Sequence, residues 1–202
     1  MKRAFVPVAS MLAIQIMISL SVLSLSVMMP AVAKDLAIDP KLVGIFTALI
    51  YGVATVVALA AAGPITRFGA IRISQVALLA GAVGLALNSL ALVPATVAAV
   101  LFIGMAQGPI NPASAHVLSQ RVPREYFGMV FSLKQTGVPI GFALAGVIFP
   151  ALLHWIGWRA GSLVAAGMLV AAALLVEPLR SRLDVITIEN RARSSIWRSM
   201  AF

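Results

Sequence analysis

Of the chain's 202 residues, 61% are hydrophobic and 10% charged, and the mean hydropathy is +1.05; soluble domains carry about 25% charged residues, so a polytopic membrane protein is the class that fits. The net charge of +9 comes from basic residues spread over the ends of apolar runs, not gathered in one patch, which points to membrane topology and away from nucleic acid. Cysteine is absent, which removes disulfides and thiolate metal sites, and neither a metal nor a cofactor is expected.

Six apolar runs follow one another at about 5–33, 41–65, 70–93, 95–118, 126–153 and 157–176, each reaching or approaching the ~20 residues that cross a bilayer as a helix. They predict an all-α membrane protein with six transmembrane helices. The first run follows Lys2 and Arg3 and ends in Ala31-Val32-Ala33, as a cleavable signal would. A signal core is only about 7–15 residues long, so this run is read as a retained span. Gln15, Ser19, Val22 and Ser26 form a polar stripe on it, serving either hydrogen bonds between helices or a ligand. After the loop from Lys34 to Lys41, the second run carries another stripe, Thr47, Tyr51 and Thr55. It ends in AAAGPITRFGAIR, where Gly63, Pro64 and Gly69 predict a tight turn with Arg67 and Arg72 in water. The third run offers Asn88 as its main polar group, and Pro94 marks a short return.

In the fourth run Gly104, Gln107, Asn111 and Ser114 share a face, and Gly108-Pro109 and Pro112 interrupt the helix. Carbonyls freed by proline inside a membrane must find partners in the bundle or in a cavity. The fifth run contains SLKQTGVPIGFALAGVIFP and, with Lys134, the one charge deep inside an apolar segment. A lysine there costs about 2.5–3.5 kcal/mol on insertion scales, so it is expected to face a water-filled cavity or the bundle interior. Lys134, Gly137, Val138, Gly141, Ala145 and Ile148 share its face at helical spacing. His154, Trp155, Trp158 and Arg159 form the next hairpin, with both tryptophans read as interfacial anchors. The sixth run is apolar, and residues 177–202 form a basic segment read as a cytoplasmic tail or the start of a linker to a further half.

Topology follows from the basic residues. With the N-terminus inside, Lys2, Arg3, Arg67, Arg72, Arg121, Arg124 and the five tail arginines are cytoplasmic, against Lys34, Lys41 and Arg159 outside. The expected placement is a cell (inner) membrane with both termini in the cytoplasm.

Six helices with a basic, Gly-rich turn between the second and third resemble the N-terminal half of a major facilitator superfamily transporter. The family's turn reads Gly, three residues, Asp, Arg, one residue, Gly and then basic residues. Here Ala62 replaces the first Gly and Thr66 the Asp, while Arg67, Gly69 and Arg72 match. The resemblance implies a gating turn of Thr66, Arg67, Gly69 and Arg72 that lacks the family's latching carboxylate. A glycine series on the fifth helix is similar to one associated with the family's antiporters. Gly128, Gly137, Gly141 and Gly146 match it as helix-packing glycines, with Phe142 where Pro is usual and Ala145 where Gly is. Gly104 stands where the family's proton antiporters often carry a basic residue, so the direction of transport stays open. The turns PITRFGAIR and PALLHWIGWR echo each other, as a three-plus-three helix repeat would produce.

The expected function is secondary transport of a small solute by alternating access, with helices one, two, four and five lining the cavity as the resemblance implies. Lys134 makes an anion such as a carboxylate the natural solute, and Gln135, Gln107, Asn111, Gln15 and Tyr51 are its expected hydrogen-bonding partners. The alternative is an accessory or assembly membrane protein whose polar stripes are packing glue. An intramembrane enzyme would need a constellation of acid, base or nucleophile at depth, and the two histidines, His116 and His154, lie near helix ends, so no enzyme is expected. The resemblance spans half of a twelve-helix fold, so a second six-helix half, or a homodimer partner, is expected beside the lipid bilayer and the solute.

Overall fold

A computed structural model describes residues 2–39 and 43–184. Lys41 and the tail beyond Asp184, with Arg191, Arg193 and Arg198, lie outside the described residues. The described chain is helical almost throughout, in eight segments: α1 (Lys2–Asp35), α2 (Val43–Ala60), α3 (Ala62–Phe68), α4 (Ala70–Asn88), α5 (Val93–Gln107), α6 (Ile110–Arg121), α7 (Phe127–Gln135) and α8 (Gly137–Leu183).

Three of the helix interruptions stand beside a proline, although Pro7, Pro30, Pro150 and Pro178 lie inside helices without one. Pro64, Pro109 and Pro139 lack the N–H that would reach the carbonyl four residues back, and an interruption lies within three residues before each. The expected second helix, 41–65, therefore divides at Ala61, with α2 and α3 bent by 57°. Gly63 and Pro64 sit inside α3 and form no tight turn; the reversal comes at Gly69, where φ is 96°. Pro112 is absorbed into α6 without a break. The 58-residue stretch Arg124–Ser181 is more than long enough for two bilayer crossings. Gly157, at φ 75° and ψ 169°, divides it into two legs, 137–156 and 158–183, so the hairpin expected near 154–159 is a single-residue break. Together with α1, the α2–α3 pair, α4 and α5–α6, the two legs give about six apolar helical spans among the described residues.

The packing joins the two triplets. Helix two packs on helix four, where Gly104 and Gly108 lie against Ile50, Val53, Ala54 and Val57. Helix five packs on helix one, where Gly137 and Gly141 lie against Leu12, Gln15, Ile16 and Ser19. Each triplet thus places its middle helix against the first helix of the other, as a three-plus-three arrangement requires. Helix three is held to helix six by Asn88, which donates to Ser162 Oγ at 3.0 Å, and by Gln75, which donates to the Ala173 carbonyl at 3.1 Å. Met11, Ile14, Ile18, Leu25, Leu78 and Phe149 are buried between the helices, while Leu59, Val147 and Leu175 stand exposed, an apolar exterior suited to lipid. The tryptophans divide. Trp155 is exposed as an interfacial anchor would be, but Trp158 is buried and donates its Nε1 proton to Asp35 Oδ2 at 2.7 Å, tying helix six to the end of helix one.

Candidate functional site

Helices four, five and one meet at Lys134. Its side chain is fully buried. Nζ donates to Asn111 Oδ1 at 2.7 Å and to Gln135 Oε1 at 3.4 Å, and lies 5.6 Å from the centre of the Phe131 ring. The break before Gly137 ends α7 one residue past Lys134, and the break at Gly108-Pro109 starts the short α6 that carries Asn111. Both prolines thus act beside the buried charge. Among the described residues no carboxylate is paired with Lys134; its partners are two amides and a ring. An amine buried without a carboxylate leaves the site complementary to an anion.

The other expected binding residues are placed unequally. Gln15 is buried against Gly137, one turn beyond Lys134; its Nε2 donates to Ser19 Oγ at 3.1 Å and its Oε1 has no hydrogen-bond partner. Gln107 lies one turn before Asn111 across the helix break, and its Oε1 is likewise buried without a partner. Tyr51 stands on α2, exposed, and is no partner of Lys134. Three hydroxyls of the polar stripes bond back to their own helix: Ser26 to Val22 O, Thr55 to Tyr51 O and Ser114 to Ile110 O. They are satisfied locally, as serine and threonine in helices commonly are.

A second constellation lies at the turn between helices two and three. Thr66 Oγ1 is held within its own helix by the Ala62 and Gly63 carbonyls. Arg67 is exposed and lies over the Phe68 ring at 5.2 Å. Gly69 leads into α4, whose first N–H groups have no carbonyl within the helix to bond. Asp184, buried at the end of helix six, supplies the acceptor: Ile71 N–H donates to Oδ1 at 3.1 Å and Arg72 N–H to Oδ2 at 3.3 Å. The turn therefore has a carboxylate after all, delivered from 113 residues further along the chain. Arg121, at the end of helix four, donates Nη2 to the Leu183 carbonyl at 3.4 Å beside it. Arg72 and Arg180 reach Glu177 at 3.9 and 3.3 Å, exposed pairs that contribute little.

The sequence profile of the Major Facilitator Superfamily matches residues 11–200. The chain belongs to the major facilitator superfamily. No curated protein matches it.

Members of the superfamily are membrane transporters, and this chain is a multi-pass membrane protein of that kind. Within that frame the glycine series on helix five divides. Gly137 and Gly141 meet helix one closely, but Gly128 and Gly146 have open space where a Cβ would stand, so these two pack against no neighbour. The sequence reasoning missed Asp184 and Gln75. Asp184 lies in the segment read as a solvated tail, and only the return of helix six beside helix three reveals its role. Gln75 lies in the run read with Asn88 as its main polar group; it donates to the Glu177 carboxylate at 2.5 Å.

Proposed function

We propose that the chain moves a small anionic solute across the inner membrane by alternating access, with the cluster of Lys134, Asn111 and Gln135 as the centre of its site. The observation that carries this reading is a buried ammonium whose partners are all neutral. A bundle that needed the lysine only for packing would be better served by an apolar residue of similar size. A second six-helix body facing the exposed side of Asn111 and Gln135, whether in the same polypeptide or in a second copy, completes the translocation path in this proposal.

The test is ligand binding by the purified chain. A ligand at a hundred times its Kd stabilises a protein by about 2.7 kcal/mol, so thermal unfolding in detergent reads occupancy without naming the solute beforehand. Stabilisation by at least one of a panel of small carboxylates is expected, and Lys134→Ala is expected to abolish it while leaving membrane insertion intact. Unchanged stabilisation of the alanine variant would remove the lysine from the site.

The proposal also sets both termini in the cytoplasm, from the excess of basic residues on that side. A reporter enzyme active only in the periplasm, joined after Phe202, is expected to be silent, and strong activity there would overturn this topology.

A further inference from the structure

We infer that a bound anion is held by the amide N–H groups of Asn111 and Gln135, with the Lys134 ammonium behind them as a positioning residue. This rests on the reading of the cluster as an anion site. Lys134 presents no surface, whereas Asn111 and Gln135 are both exposed. A ligand that arrives from the exposed side meets the amides first. Phe131 covers another side of the ammonium.

The orientation of the amides follows from the lysine. An ammonium has three donors and no acceptor, so each amide must turn its oxygen toward it. Both oxygens are engaged, at 2.7 Å for Asn111 and 3.4 Å for Gln135. The NH2 group of each side chain, a donor, is left free of the ammonium, and both residues are exposed. The cation thereby selects one of the two flips of each amide and converts two adaptable side chains into a pair of donors. A carbonyl oxygen that accepts from a cation also polarises its amide, which strengthens the N–H groups as donors. Two neutral donors backed by a positive charge suit a carboxylate or another small oxyanion. They also hold it less tightly than a dry ammonium contact would, and a transport site must bind weakly enough to release.

The experiment uses the purified full chain with acetate, lactate, succinate and inorganic phosphate as probes, affinity being read from concentration-dependent thermal stabilisation. Whichever probe stabilises the parent chain is expected to lose at least about tenfold in affinity in Asn111→Ala and in Gln135→Ala, the effect of removing a hydrogen bond to a charged group. If the anion instead touches Nζ directly, removal of either amide uncovers the ammonium and frees one of its donors. Retained or raised affinity in these variants would therefore overturn the inference. Gln135→Ala keeps the test decisive if Asn111→Ala does not fold, because Gln135 is exposed and makes the longer contact. Lys134→Arg still offers several donors to the two oxygens and is expected to bind within about threefold of the parent chain. Lys134→Met, which offers none, is expected to lose binding, and retention there would overturn the positioning role. Failure of all four probes to stabilise the parent chain would overturn the anion site itself, and this inference with it.

Discussion

Alanine at Gly141 is expected to destabilise the bundle by about 1–3 kcal/mol, the range for overpacking a close contact. A Cβ at Gly141 would lie 2.5 Å from the Ile16 carbonyl oxygen, 2.8 Å from Ser19 Cβ and 3.0 Å from Leu20 N. Two of these three atoms belong to the backbone of helix one and cannot rotate aside, so helix five must move off as a body. Gly137 is the milder case, since two of its three nearest neighbours would be side-chain atoms of Gln15, at 3.0 Å. Gly146 and Gly128 serve as internal controls. Nothing lies within 4 Å of a Cβ built at either position. Alanine there removes the entropic disadvantage of glycine in a helix, about 0.5–1 kcal/mol, and is expected to be neutral or slightly stabilising. Unfolding midpoints of the four alanine variants in one detergent make the comparison. A common effect at Gly141 and Gly146 would sink the claim that helix five approaches helix one through Gly137 and Gly141.

The largest effect at the turn between helices two and three is expected from Gly69→Ala, at about 2–4 kcal/mol. Two penalties combine there. A φ of 96° is strained for any residue with a Cβ, at about 1–3 kcal/mol. The new methyl would also stand 2.4 Å from the Asp184 carboxylate and expel it from the start of α4, a loss comparable to that of a helix cap, about 0.5–2 kcal/mol. Asp184→Ala alone removes the cap and is expected to cost about 1–2 kcal/mol. The double variant makes the test sharper. With the carboxylate gone the alanine methyl has room, so only the backbone strain and one lost cap remain, and the double variant is expected to be less destabilised than the sum of the singles. Strict additivity would show that Gly69 and Asp184 do not share the contact described for them.

How much of the site was legible in the sequence depends on distance along the chain. Lys134 stood out because a charge within a long apolar run is costly wherever it sits, and Gln135 is its sequence neighbour. Asn111 was named as well, from its place on the polar face of helix four, but its hydrogen bond to Lys134 spans 23 residues and depends on how helices four and five cross. Tyr51 belongs to the same kind of stripe, and in the structure it is exposed on α2 and makes no hydrogen bond to Lys134. The stripes left the partner of each group open, because a hydroxyl can satisfy itself on the carbonyl one turn back, and spacing does not distinguish that bond from one across helices.

By itself the sequence determined that the chain is a multi-pass helical membrane protein, because burial in lipid demands long apolar runs and satisfied backbones, and both are local properties. It also marked the break at Gly108-Pro109, since proline removes its own N–H, but not which other prolines a continuous helix would absorb. The resemblance to the major facilitator superfamily was carried by short motifs and needed no coordinates. Tertiary structure alone decided which of four equivalent glycines touch another helix, because a missing side chain carries no direction until helices dock. It alone brought Asp184 to the turn at Gly69, a contact that exists only once helix six lies beside helix three. It alone set Lys134 behind the amides of Asn111 and Gln135, because whether a polar group faces solvent, lipid or a neighbour is a property of three packed helices and not of any one of them.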